Sequence, residues 1–99
     1  MVLNQEGRAL ETHRIPVIST GHVDYPTAQT LNTHAGRDLC PVAAWEYGFF
    51  LYLEEEMEDD KPQCLRDISA WLTKHKFTDR WVRLEADASK ADGLTSYYW

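Results

Sequence analysis

The chain reads as an α+β protein, a two-layer sandwich in the order β-α-β-α-β with two amphipathic helices on a three- to four-stranded sheet. Three observations predict it. Residues 42–53 alternate apolar side chains with period two, and residues 64–75 carry them at helical spacing. A capped helix start, Asp24-Tyr25-Pro26, follows closely on a short β-prone stretch. Elements that alternate along so short a chain bury their apolar faces most simply against one another in two layers. At 99 residues, 43% hydrophobic and 12% aromatic, the chain holds material for one core and no second.

Residues 1–13 mix charge, glycine and scattered apolar residues without period, which predicts a flexible N-terminal arm ahead of a single α+β domain at 14–99. Residues 14–20 read as a short strand, with Pro16 marking an edge or a start because it cannot donate to a ladder. In the first helix Asp24 accepts orphan amides, Pro26 supplies a helical φ and Val23 staples onto Ala28. Ala28, Leu31 and Ala35 share one face, and Gly36 is expected to end it. The run 42–53 reads as one long strand. Ala43, Trp45, Tyr47, Phe49, Leu51 and Leu53 lie on its inner face, and Gly48 marks a bulge or bend. Cys64, Leu65, Ile68, Trp71, Leu72 and His75 line the second helix, and Lys74, His75 and Lys76 complement its dipole. Residues 80–86 form a third strand, Val82, Leu84 and Ala86 alternating against Trp81, Arg83 and Glu85, and residues 94–99 are a β-prone candidate for a fourth, edge strand. The core expected from these periods is Trp45, Phe49, Leu51, Ile68, Leu72, Val82 and Leu84, with Tyr47, Trp71 and Trp81 spent there too.

Sixteen Asp and Glu against ten Lys and Arg give a net charge of −6. That balance disfavours direct nucleic-acid binding, which needs a basic stripe, and docking on anionic lipid. It suits a protein partner with a basic surface. No stretch approaches the ~18 apolar residues of a membrane span, and the N-terminus lacks a secretory apolar core. Cys40 and Cys64 are therefore expected as reduced thiols in the cytoplasm.

Candidate chemistry is sparse. His13, His22, His34 and His75 show no HxxxH or HExxH spacing and neither cysteine has a CxxC partner, so no metal and no cofactor is expected. Ser19-Thr20-Gly21-His22 sits where a strand meets a helix, a place suited to a small ligand through Ser19, Thr20 and His22. It matches neither a P-loop nor a nucleophile elbow, and a capped tight turn accounts for it more simply. The loop 87–93 fails the register of a calcium loop and reads as an Asp-Gly turn. Glu46 and Glu85, on neighbouring strands, are read as solvated rather than as an acid/base pair. The chain is read as non-catalytic.

Two features point to a partner. Glu54, Glu55, Glu56, Glu58, Asp59 and Asp60 place six carboxylates in seven residues, which suits a basic groove; a solvated loop whose last acids stabilise the start of the next helix explains them more simply. Phe50, Tyr52, Tyr97, Tyr98 and Trp99 exceed what one small core absorbs, and surplus aromatics mark protein contacts; a tail strand folded back over the sheet accounts for them equally simply.

Val17-Ile18-Ser19-Thr20-Gly21-His22, Glu46-Tyr47-Gly48, Trp81-Val82-Arg83-Leu84, Asp92-Gly93-Leu94 and Tyr98-Trp99 resemble an uncharacterised family of short bacterial proteins encoded on plasmids, prophages and integrative elements. The resemblance covers most of the chain from Arg14 onward and implies no catalytic residue. By analogy with other small acidic proteins of mobile genetic elements, it implies an inhibitor of a host nucleic-acid-handling defence complex, of the anti-CRISPR or anti-restriction type. The leading expectation is thus a non-catalytic protein-binding module from a mobile element. A small-ligand-binding or enzyme-like domain using the turn from Ser19 to His22 is the alternative, and a homodimer paired through its terminal strand is a third.

Overall fold

A computed structural model describes residues 15–99, so the arm expected at 1–13 and the strand's expected first residue, Arg14, lie outside the described residues. The elements run β1 (Val17–Ser19), α1 (Tyr25–Leu31), β2 (Val42–Trp45), β3 (Gly48–Tyr52), α2 (Gln63–Lys74) and β4 (Trp81–Glu85), with 3-10 turns at Thr20–His22 and His34–Asp38. The four strands form one mixed sheet in the order β1-β4-β3-β2. β1 lies parallel to β4, and β4, β3 and β2 are successively antiparallel. The architecture is α+β as expected.

The expected single strand at 42–53 is instead a hairpin. Glu46 and Tyr47 form its turn, and Trp45 pairs with Gly48 across it. A two-residue connection pairs odd positions with even ones, so every face assignment before the turn inverts relative to those after it. Phe49, Leu51 and Leu53 are buried as expected, whereas Ala43, Trp45 and Tyr47 stand on the outside. Trp45 therefore leaves the expected core, and so does Trp81, whose parity on β4 matches Arg83 and Glu85. The fourth strand thus comes from splitting the central run. Residues 94–99 form no strand.

Gly48 is where the hairpin re-enters the sheet. A β-carbon there would be driven into the Leu84 backbone carbonyl of the neighbouring strand, and backbone cannot step aside cheaply. Gly48→Ala should therefore destabilise by about 1–3 kcal/mol or more in a denaturant melt, through a widened β3–β4 pairing. An unchanged midpoint would place Gly48 away from Leu84.

Helix ends explain the helices. Asp24 Oδ1 accepts the Thr27 amide at 2.8 Å. Desolvation pushes the Asp24 carboxyl up, but hydrogen bonds from Thr27 and the Cys64 thiol outweigh it and hold the group below its ordinary 3.8. The depressed value means this cap stabilises fully above about pH 4 and is lost as pH falls through the folded value. α1 stops at Leu31, short of the expected Gly36; there a β-carbon would come within 2.8 Å of the Leu31 Cα, so Gly36 serves close packing instead. α2 closes with Lys76 in the left-handed region (φ 61°), Phe77 N–H donating to Leu72 O at 2.9 Å and Lys76 N–H to Thr73 O at 3.1 Å. That pairing is a Schellman cap, and the Phe77 ring stacks on Trp71, centroids 5.7 Å apart.

Arg80, also left-handed (φ 62°), ties α2 to the chain leaving β3. Its guanidinium donates to Leu53 O (3.0 Å), Ser69 O (3.0 Å), Ser69 Oγ (2.7 Å) and Thr73 Oγ1 (3.0 Å). Between the layers lie Leu51, Leu53, Leu65, Ile68, Leu72, Val82 and Leu84, all fully enclosed. Cys40 and Cys64 are free and buried among them; burial pushes the Cys40 thiol up to about 11 and raises Cys64 too, so both stay protonated and poorly nucleophilic at neutral pH. Among the described residues no helix is long and apolar enough to cross a membrane.

Candidate functional site

The helices cover one face of the sheet. Strand alternation places Phe50 and Tyr52 of β3, and Trp81, Arg83 and Glu85 of β4, on the other, beside Ala43 and Trp45 of β2 and Val17 of β1. No described element lies over them. Trp45 is 39% exposed, Trp81 37% and, at the hairpin tip, Tyr47 53%. Rings meet across the strands, Tyr52 on Trp81 with centroids 5.3 Å apart and Trp45 on Phe50 at 6.5 Å. The Arg83 guanidinium lies over both Trp45 (4.8 Å) and Phe50 (5.3 Å) and forms an ion pair with Glu85. A cation held by two rings and a carboxylate keeps these side chains upright rather than splayed.

Acid borders this aromatic strip at both ends. Glu46, Glu85 and Asp87 stand where the hairpin turns, and residues 54–60 leave the opposite end of β3, about 13 Å away at ~3.3 Å per residue. All six carboxylates of that run are exposed. The first turn of α2 contains no acid, and Pro62 is its N-cap. The run is therefore a solvated loop detached from the helix dipole it was expected to serve.

The turn from Ser19 to His22 is built inward. Ser19 is buried, its Oγ accepting the Gly21 amide at 2.9 Å. His22 is 1% exposed. Its Nε2 accepts the Ala91 amide at 2.8 Å, which places the ring proton on Nδ1, 2.9 Å from the Thr95 carbonyl it donates to. Both ring nitrogens thus clasp residues 91–95. The tail continues along the turn, with Tyr97 N–H donating to Gly21 O at 2.7 Å and Trp99 Nε1–H to Val23 O at 2.9 Å. Of the tail aromatics, Tyr97 packs against the core and Trp99 against Tyr25 (5.4 Å), while Tyr98 is 88% exposed with Lys90 over its ring. Among the described residues no group of three or more His, Cys, Asp or Glu is arranged to hold a metal ion.

Of the residues expected to meet a partner, the acidic run, Tyr98 and Trp99 lie at the surface and Tyr97 is partly buried against the core, while the exposure of Trp45, Tyr47 and Trp81 was missed. The signal available was Glu46-Tyr47-Gly48, which reads as a turn once Gly48 is taken as a strand start.

A small α+β unit whose sheet is layered on one side and, among the described residues, open, aromatic and acid-bordered on the other is the class that the fold and surface define. Residues 15–99 match the family model described as "Family of unknown function (DUF5983) C-terminal domain", and the chain belongs to that family. No curated protein and no solved structure matches it.

Proposed function

We propose that this protein is a non-catalytic protein-binding module whose contact surface is the open sheet face, and that its partner presents a basic surface. The observation that carries this reading is the strip Trp45, Phe50, Tyr52 and Trp81, exposed or half-buried and bordered by acid at both ends. Aromatic residues at the centre with charge at the rim is the anatomy of a protein interface. Carboxylates around the rings disfavour a nucleic-acid strand, which stacks on such platforms only inside a basic groove. Interference with a nucleic-acid-handling complex is the specific form of this role that the exposed acids of residues 54–60 support, since a basic groove there receives phosphates. The engagement of both His22 nitrogens by main chain favours binding over the small-ligand reading of Ser19, Thr20 and His22.

Replacing Glu54, Glu55, Glu56 and Glu58 by Gln tests the electrostatic half. The Debye length is about 8 Å at physiological ionic strength, so association with a partner captured from a lysate of cells that naturally carry the protein should slow strongly at low salt and much less at high salt. The melt should barely move, because the Glu54 carbonyl used by Ser69 and Arg80 is main chain. Equal association rates for variant and parent at both salt concentrations would make the run a solvated connection only.

A further inference from the structure

At the hairpin end of the open face lies a cavity of about 230 Å³ lined by Trp45, Tyr47, Glu85 and Asp87. Its walls follow from the register. Trp45, Gly48 and Glu85 form one row across β2, β3 and β4, and glycine puts no side chain between the other two. The Ala86 amide donates to Tyr47 O at 2.9 Å, and the Ala88 amide to Glu85 O at 3.2 Å, so main chain holds Tyr47 beside the turn that carries Asp87. The Trp45 and Tyr47 rings meet nearly at right angles, 79° with centroids 5.3 Å apart. Glu85 is paired with Arg83, while Asp87 has no hydrogen-bond or ion-pair partner among the described residues. Among the described residues, the two lining carboxylates of Glu85 and Asp87, with Glu46 in the adjoining turn, stand here against the guanidinium of Arg83.

We propose that this cavity receives the ammonium group of a lysine side chain presented by the protein partner. This rests on the open-face reading above and names one contact within it. Ring faces attract cations, and the corner between two perpendicular rings suits a compact ammonium. A planar guanidinium prefers one broad ring face, and the intramolecular Arg83 already lies over Trp45. The free Asp87 carboxylate adds a hydrogen-bond acceptor, which rewards an ammonium that keeps its N–H donors over a trimethylated one.

The test is an NMR titration of the folded protein with short uncharged-backbone peptides, identical except for one central residue: lysine, norleucine, arginine or trimethyllysine. The lysine peptide should shift the Trp45 indole N–H and the amides of residues 46–48 and 85–87 saturably. The norleucine peptide, equal in length but without charge, should not. Tyr47→Ala should weaken lysine binding about two- to fivefold, with Tyr47→Phe restoring it, since the ring rather than the hydroxyl attracts the cation. Asp87→Asn should weaken it too, more at low salt than at high. Both positions are exposed, so the melts should be unchanged. Equal shifts from norleucine, tighter binding of arginine or trimethyllysine, or no saturable shift at these residues would each overturn the proposal. The peptides do not involve the natural partner, so their failure leaves the open-face reading standing on its own test.

Discussion

His22→Ala should destabilise the protein by about 2–5 kcal/mol and free the C-terminal tail. Two main-chain groups, the Ala91 N–H and the Thr95 C=O, lose their partners at once, and each buried orphan costs about 1–3 kcal/mol. The cavity left by a fully enclosed ring adds to that. Detachment of the tail, which lets water satisfy both groups, limits the loss. A urea melt reads the total, and amide exchange at Ala91 and Tyr97 reads the tail. In a chain ending at Gly93, which lacks Thr95, the same substitution should cost less, and that non-additivity identifies the tail as the coupled element. A loss below about 0.5 kcal/mol would mean that the imidazole does not clasp the tail.

Leu72→Ala should cost about 2–5 kcal/mol as transfer loss plus cavity, because Leu72 is wholly enclosed between α2 and the sheet. Leu72→Met, nearly equal in volume, should cost less than about 1.5 kcal/mol. The informative comparison is Trp81→Ala. Although Trp81 is the larger residue, it stands on the open face, where its ring neighbour among the described residues is Tyr52. Such a pair contributes about 0.2–1 kcal/mol, so removing the bigger side chain should do less damage. A Trp81 loss equal to that of Leu72 would contradict the assignment of faces.

The helices were legible in the chain because their signals are local. Asp24 and Pro26 mark the start of α1, and the apolar stripe from Cys64 to Leu72 marks the buried face of α2. β4 was legible as a strand, since alternation alone separates Val82 and Leu84 from Trp81, Arg83 and Glu85, but the size of Trp81 drew it into the expected core against that alternation. The hairpin was not. Residues 42–53 alternate without interruption, and Glu46-Tyr47 lacks the Asn-Gly or Asp-Gly signature of a two-residue turn. That one missed reversal inverted the parity of β2, drew Trp45 into the expected core and hid the open face. The tail misled for another reason. Its residues favour strands, but its bonds go to the 3-10 turn and to His22, a long-range pairing that no local pattern encodes. The Lys76 and Arg80 conformations were equally invisible, because only the cap and the clasp they serve require a left-handed backbone there.

The proposed contact surface is the sheet face that no described element covers. Site-specific photo-crosslinking tests it whatever the partner's identity. A benzoylphenylalanine is placed at position 81 on the open face or at position 70, where Ala70 is exposed on α2, and the protein is irradiated in cells that naturally carry it. A discrete protein adduct is expected from position 81 and none from position 70, with loss of the position-81 adduct when Trp45 and Tyr47 are replaced by Ala in a chain that melts like its parent. An adduct from position 70 with none from position 81 would put the partner on the helical layer and contradict the account.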